Sequence, residues 1–236
     1  LNKLDRQRYS ADGMLHPGRR RSCKLRVMGV MCLMLLLGAC SSAYYGTMEQ
    51  FGIHKRDILV DRIEEAQLAQ QDGQQQFKDA LEQFRSVVNF DGGELQQIYD
   101  RLNAEFEGSE AAADTIRNRI RAVESVADDL FDEWDSELAL YTNQTLRRDS
   151  EQQLTATRQR YARLIQAMRR AESTLDPVLN NLRDNVLYLK HNLNARAIAS
   201  LRGELATINT DVDRLLAAMQ EAITESDRFI AGMRSE

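Results

Sequence analysis

Residues 198–233 read IASLRGELATINTDVDRLLAAMQEAITESDRFIAGM, and this stretch decides the fold. Ile198, Leu201, Leu205, Ile208, Val212, Leu215, Met219, Ala222, Ser226, Phe229 and Met233 alternate steps of three and four along it. A helix turns once per ~3.6 residues, so this spacing keeps the whole set on one stripe. A sustained seven-residue repeat drifts slowly against that turn, and a left-handed supercoil absorbs the drift. The reading is a heptad seam over five repeats. It makes the chain all-α, an elongated antiparallel helical bundle or coiled coil of long helices.

Just upstream of the seam, Val178, Leu182, Val186 and Leu189 recur at helical spacing. Asp176-Pro177 reads as the start of that segment, with Asp as N-cap and Pro at the first helical position, where a missing N–H costs nothing. His191, Asn192 and Asn194, with Lys190 and Arg196 around them, separate the two apolar runs. They are read either as a capped turn between helices or as a polar site for a partner. Earlier in the chain, Leu154, Tyr161, Met168 and Leu175 recur every seventh position. Ile116, Ile120, Val123, Ala127, Leu130, Trp134 and Tyr141 mark another stripe. No Gly or Pro interrupts residues 109–172, so one helix of about 95 Å is expected there at ~1.5 Å per residue. Its polar section, Thr142 to Gln153, has Leu146 as its only large apolar residue and reads as either a hinge or a weakly paired stretch. Gly108-Ser109 reads as a break or kink, with Ser109 placed to N-cap the AAADTIRNRI segment.

The first helix is expected from about Thr47 to Asn89, its stripe weakened at Gln70 and Gly73. Phe90-Asp91-Gly92-Gly93 is the clearest turn. Glycine tolerates positive φ, and an Asp side chain bonds readily to nearby amides, so a hairpin reversal is expected.

Charge segregates along these helices. Residues 94–141 hold 13 acidic and 4 basic side chains, whereas residues 142–172 hold 7 basic and 3 acidic. A basic stretch laid antiparallel over an acidic neighbour fits this pattern. Two independently solvated faces fit it as well, since an exposed pair contributes less than ~1 kcal/mol. Arg147, Arg148, Arg169 and Arg170 are the candidate docking cations of the basic stretch.

At the other extreme of the chain, Arg19, Arg20, Arg21, Lys24 and Arg26 precede an apolar run of eleven residues, Val27 to Leu37. A bilayer-spanning helix needs ~20 apolar residues, so this run is the core of a secretory leader. It ends Leu37-Gly38-Ala39-Cys40, small residues before a cut followed by cysteine, which resembles the lipobox of bacterial lipoproteins. That resemblance implies diacylglycerol on the Cys40 sulfur and cleavage after Ala39. Several acyl chains on one residue anchor stably, whereas one alone is marginal. Ser41 stands where an Asp would retain a Gram-negative lipoprotein in the inner membrane. The expected address is therefore the outer membrane, facing the periplasm. Met14 is a better start than Leu1, so residues 1–39 divide into an over-extended N-terminus and a signal peptide. Residues 40–46 are a lipidated tether and residues 47–236 one long-helical domain. Tyr44 and Tyr45 in the tether suit either the headgroup layer or the cap of the bundle.

Without residues 1–39 the chain holds 23 basic and 34 acidic side chains, a net charge of −11. Such a body repels phosphate backbones, so nucleic acid is not expected as a partner. Cys40 is then the only cysteine, which leaves no disulfide and makes packing the sole source of stability. No GxxxxGK[ST] or GxSxG pattern occurs, and His54 and His191 lack ligand-spaced neighbours. Neither a metal, a cofactor nor a catalytic residue is expected. Glu64-Glu65, Asp128-Asp129 and Asp132-Glu133 read as solvated helix faces, and Trp134 and Tyr161 as core.

YYGTMEQFGIHKRDILVDRIEEAQ from Tyr44, SEAAADTIRNRI, LFDEWDSEL, LRRDSEQQL, RYARLIQAMRRAE and above all LYLKHNLNARAIASL (Leu187 to Leu201) together resemble one family. It is the bacterial domain-of-unknown-function family numbered 2959, of helical lipoproteins or exported proteins. The resemblance implies one unit across the body of the chain and no assigned activity, so no catalytic residue carries over. The functional expectation is a non-catalytic envelope scaffold or adaptor. It would be held to the membrane by lipid on Cys40 and would meet a protein partner, or itself, through helix faces. The alternative is a helical module lying along the bilayer, which needs a basic face; residues 142–172 are the only candidate.

Overall fold

The computed structural model describes residues 55–90, 92 and 94–235; the leader, Cys40, the tether and His54 lie outside them. Five helices follow in order: α1 (Lys55–Val88), α2 (Leu95–Leu138), α3 (Gln144–Ser173), α4 (Leu175–His191) and α5 (Ala195–Arg234). Among the described residues there is no strand. The chain runs up along α1, down along α2, up along α3 and α4 together, and down along α5.

The heptad seam of α5 is buried inside the chain. Leu215, Met219, Ala222 and Ser226 are fully enclosed, and Ile208, Val212 and Phe229 nearly so. Ser226 is tolerated there because its hydroxyl donates to the Ala222 carbonyl one turn back, at 2.9 Å. α1, α3 and α4 pack against α5, and α2 closes the ring by packing on α1, α3 and α4. Near one end Tyr161 of α3 lies edge-on between Phe131 of α2 and Phe229 of α5, with ring centroids 5.4 and 6.5 Å away. Edge-to-face aromatic contacts at such separations add to the area they bury.

The expected continuous helix over 109–172 is instead a hairpin. α2 ends at Leu138 and α3 begins at Gln144, with Asn143 as its N-cap. The Asn143 side chain accepts from the backbone amides of Thr145 and Leu146 at 2.9 and 3.3 Å, satisfying two donors that a new helix start leaves open. An Asn cap within a polar section therefore reverses the chain without Gly or Pro. The reversal lays the basic segment over the acidic one. Asp135 pairs with Arg158, Glu124 with Arg169, Asp176 with Arg117 and Glu110 with Arg183. On both rods these partners are 11, 7 and 7 residues apart. Those intervals return to the same helix face, so α3 and α4 keep a single register against α2.

Two other expectations are corrected. Helix α2 runs through Gly108-Ser109 without a break, and Ser109 is buried with its hydroxyl on the Glu105 carbonyl at 2.8 Å. A Cβ on Gly108 would stand 2.8 Å from the Gln76 amide nitrogen, the far end of a flexible side chain. That amide crosses from α1 to the Glu105 carboxylate at 2.8 Å. Likewise α4 begins at Leu175, one residue before the expected cap. Asp176 lies in its first turn, and its carboxylate is directed to Arg117 at 2.6 Å. Pro177 separates α3 from α4 because it has no N–H for the carbonyl four residues back, that of Ser173. The hydroxyls of Ser173 and Thr174 bond the Arg170 and Ala171 carbonyls at this joint, at 2.8 and 2.7 Å.

α1 is continuous through Gln70 and Gly73, and both are core positions. A Cβ on Gly73 would lie 2.7 Å from Cδ1 of Ile116 and 3.5 Å from Cε of Met219, so glycine lets α2 and α5 close on α1. Gly92, in the turn between α1 and α2, has φ +155°, where a side chain would be strained.

Gln70 is fully buried, and neither its amide oxygen nor its nitrogen has a hydrogen-bond partner. An unpartnered buried polar group costs about 1–3 kcal/mol. Gln70→Leu is predicted to raise the urea midpoint by that amount of stability with an unchanged slope, as measured by circular dichroism.

Candidate functional site

The packing leaves exposed apolar side chains at the two ends of the bundle. Of seven large apolar side chains exposed among the described residues, six are terminal. Leu140, Tyr141 and Leu146 flank the α2–α3 reversal; Leu187, Tyr188 and Leu193 flank the α4–α5 turn. Only Leu68 lies along a rod. The interior is closed because its apolar stripes face one another, and the ends are open because a helix hairpin must leave the stripe to turn.

The α4–α5 end is built by asparagine. Asn194 caps α5, accepting from the amides of Arg196 and Ala197 at 3.0 and 3.1 Å. Asn192 turns back to donate to the Tyr188 carbonyl at 3.0 Å, and His191 is the exposed last residue of α4. The capped turn is thus present, and it engages two of the three polar residues singled out there. Beside it lie two depressions. One, of about 460 Å³, is a shallow polar groove between α4 and α5 lined by Asn181, Asp184, Tyr188, Ser200 and Glu204. The other, of about 260 Å³, is lined by Phe90, Leu95, Ile198, Ala199 and Arg202. Arg202 is held at its rim by donating Nε–H to the Val88 carbonyl at 2.9 Å.

The four candidate arginines do not form one patch. Arg169 grips Glu124 of α2, with Nε to Oε1 at 2.8 Å, and also pairs with Glu172; these hydrogen bonds, Glu172 first, hold its guanidinium above the usual value. Arg170 turns the other way, to Glu221 of α5 at 2.7 Å. Arg147 and Arg148 are exposed beside the reversal. No side-chain partner for either is seen among the described residues. The carboxylates read as solvated faces are partly bound between helices: Glu64 to Arg234, Glu65 to Arg119 and Glu133 to Lys55. Among the described residues no group of three His, Cys, Asp or Glu side chains is placed to hold a metal ion. No helix among them is long and apolar enough to cross a membrane.

Two features escaped sequence reasoning. Tyr141 was legible only as the end of a stripe and Leu140 was not singled out; the missing signal was the Asn143 cap, which starts a new helix and leaves both exposed. The Phe90 pocket unites residues over a hundred positions apart, which no local pattern reports.

Burial pushes the Tyr161 phenol well above its ordinary 10.0, and the Glu124 and Asp128 carboxylates push the same way while Arg169 opposes them. A raised folded value means that the contribution is intact below pH 10 and declines above it, as the unfolded chain ionises first. Tyr161→Phe is predicted to leave the melting temperature at pH 7 nearly unchanged and to make the loss of stability above pH 10 shallower. Asn194→Ala is predicted to cost about 1 kcal/mol by removing the α5 cap, with His191→Ala within ~0.5 kcal/mol of the parent in the same urea titration.

The family described as "Protein of unknown function (DUF2959)" matches residues 44–233. The chain belongs to that family. No curated protein and no solved structure matches it.

Proposed function

We propose, on the premise that membership of a family of unknown function carries no activity over, that this chain is a non-catalytic scaffold or adaptor of the bacterial envelope. It is held by lipid on Cys40, faces the periplasm from the outer membrane, and meets a protein partner through the open end of its bundle. The observation that carries this reading is the distribution of apolar surface. The α5 seam, the longest apolar strip of the chain, is buried against α1, α3 and α4. Of the apolar surface left exposed, Leu187, Tyr188, Leu193 and the Phe90 pocket lie at the α4–α5 end. Contiguous exposed apolar residues rimmed by polar ones are what protein-binding surfaces offer.

The lipid anchor rests on the leader, where basic, apolar and small residues precede Cys40 in register. The rival reading, a module lying along the bilayer, needs a basic face on residues 142–172. The internal pairing of Arg158, Arg169 and Arg170 weighs against it.

Expression of the full chain in a Gram-negative host tests both parts. The mature protein is predicted to begin at Cys40, to carry acyl mass there, and to sediment with outer membranes. Cys40→Ser is predicted to abolish the acyl mass and release the protein from the membrane fraction. Photo-crosslinking from position 188 in intact envelopes is predicted to trap a reproducible partner band. Failure to trap either a partner or a second copy would contradict the adaptor role.

A further inference from the structure

The α2–α3 reversal is an exposed apolar tip at the end of the bundle where the described chain starts. Leu140 is 77% exposed, Leu146 54% and Tyr141 39%. Lys55, the first described residue, lies at this end, with its ammonium 3.1 Å from Glu133 in the last turns of α2. Arg56 stands over the Trp134 ring at 5.7 Å. Cys40 precedes Lys55 by fifteen residues, at most ~50 Å of chain when fully stretched. A lipid on Cys40 would therefore put this end of the bundle, next to Lys55, within reach of a bilayer surface.

We propose that Leu140, Tyr141 and Leu146 insert into the headgroup and upper acyl layer of the membrane that holds Cys40, so that the bundle stands end-on. This rests on the lipid-anchor reading above. The chemistry of the tip suits a bilayer better than a protein groove. Two leucines and an amphipathic tyrosine on a short turn are the residues that the interface accommodates. Arg147 and Arg148 follow them, exposed and positioned for lipid phosphates, which a guanidinium binds in bidentate fashion. Glu137 and Asp149 offset their charge locally. Insertion is then driven by apolar burial and does not require anionic lipid. Three apolar side chains are too few to bind a membrane from free solution. Tethering changes this, since joining two binding elements through a short stretch of chain raises the effective concentration of the second, to roughly millimolar order.

The test places a single tryptophan at the tip, in Trp134→Phe/Tyr141→Trp, with Trp134→Phe/Leu68→Trp as the control on the side of a rod. Both chains, taken from Cys40 onward, are coupled through that cysteine to a maleimide lipid in phosphatidylethanolamine vesicles. The vesicles contain brominated acyl chains and are made with and without phosphatidylglycerol. Chemical coupling supplies the anchor, so the tip is read whether or not Cys40 is acylated in cells; acylation is read separately from the mass of the mature protein. The tip variant is expected to lose most of its emission in both lipid mixtures and the control to keep its own. Leu140→Asp added to the tip variant is expected to restore emission. Unquenched emission from the tip variant would overturn the proposal, whether residues 41–54 or a second copy cover the tip instead. Quenching only with phosphatidylglycerol would overturn the charge-independent mechanism.

Discussion

Everything in this bundle depends on one strip of side chains, the buried heptad seam of α5. It is the surface shared by α1, α3 and α4, and no disulfide is available to the body of the chain to substitute for it. Each large apolar side chain buried there contributes about 1.5–3 kcal/mol, so the seam outweighs any polar contact in the structure. The ion pairs have a different role. Most are at least partly exposed and each adds less than about 1 kcal/mol. Their constant register along α2, α3 and α4 selects one axial alignment among the several that apolar stripes would tolerate.

Small residues set how closely the rods approach. Gly73 and Gly108 both lie within α-helices, where glycine is costly by about 1 kcal/mol relative to alanine. At Gly73 a Cβ would meet buried Ile116 at 2.7 Å, whereas at Gly108 it would meet only the movable amide end of Gln76. The close approach that Gly73 permits brings Ile116 and Met219 onto α1, while Gln76 bridges to Glu105.

The periodicity of residues 198–233 was enough to read the all-α class and the helical bundle, because a seam is a local pattern with a fixed period; that the seam is buried within the chain came from the structure. The charge segregation of residues 94–172 was legible too, and as antiparallel pairing it was correct. The reversal at 139–143 was not. Continuity was expected because Gly and Pro are absent, yet one Asn cap with exposed Leu140 and Tyr141 suffices when the returning helix finds a complementary face. At Gly108 the error was the converse: a residue type that ends helices in solution lies inside a continuous helix that is held by packing on α1. Asp176 shows a third case, in which a carboxylate suited to capping is directed to an arginine on another helix.

The position of that reversal also organises function. Folding α2 back on α3 divides the exposed large apolar residues between two ends, with Leu68 alone on a side among the described residues. With Lys55, the first described residue, paired to Glu133 beside the α2–α3 reversal, the two ends of the bundle are distinguishable. The most direct measurement of this arrangement is the distance between spin labels at exposed positions 125 and 166, introduced as Ser125→Cys and Gln166→Cys in a chain whose other cysteines are removed. Adjacent antiparallel helices, with axes about 10 Å apart, predict strong short-range broadening. A helix continuous through residue 143 would separate the labels by about 60 Å, and the absence of short-range coupling would contradict the account.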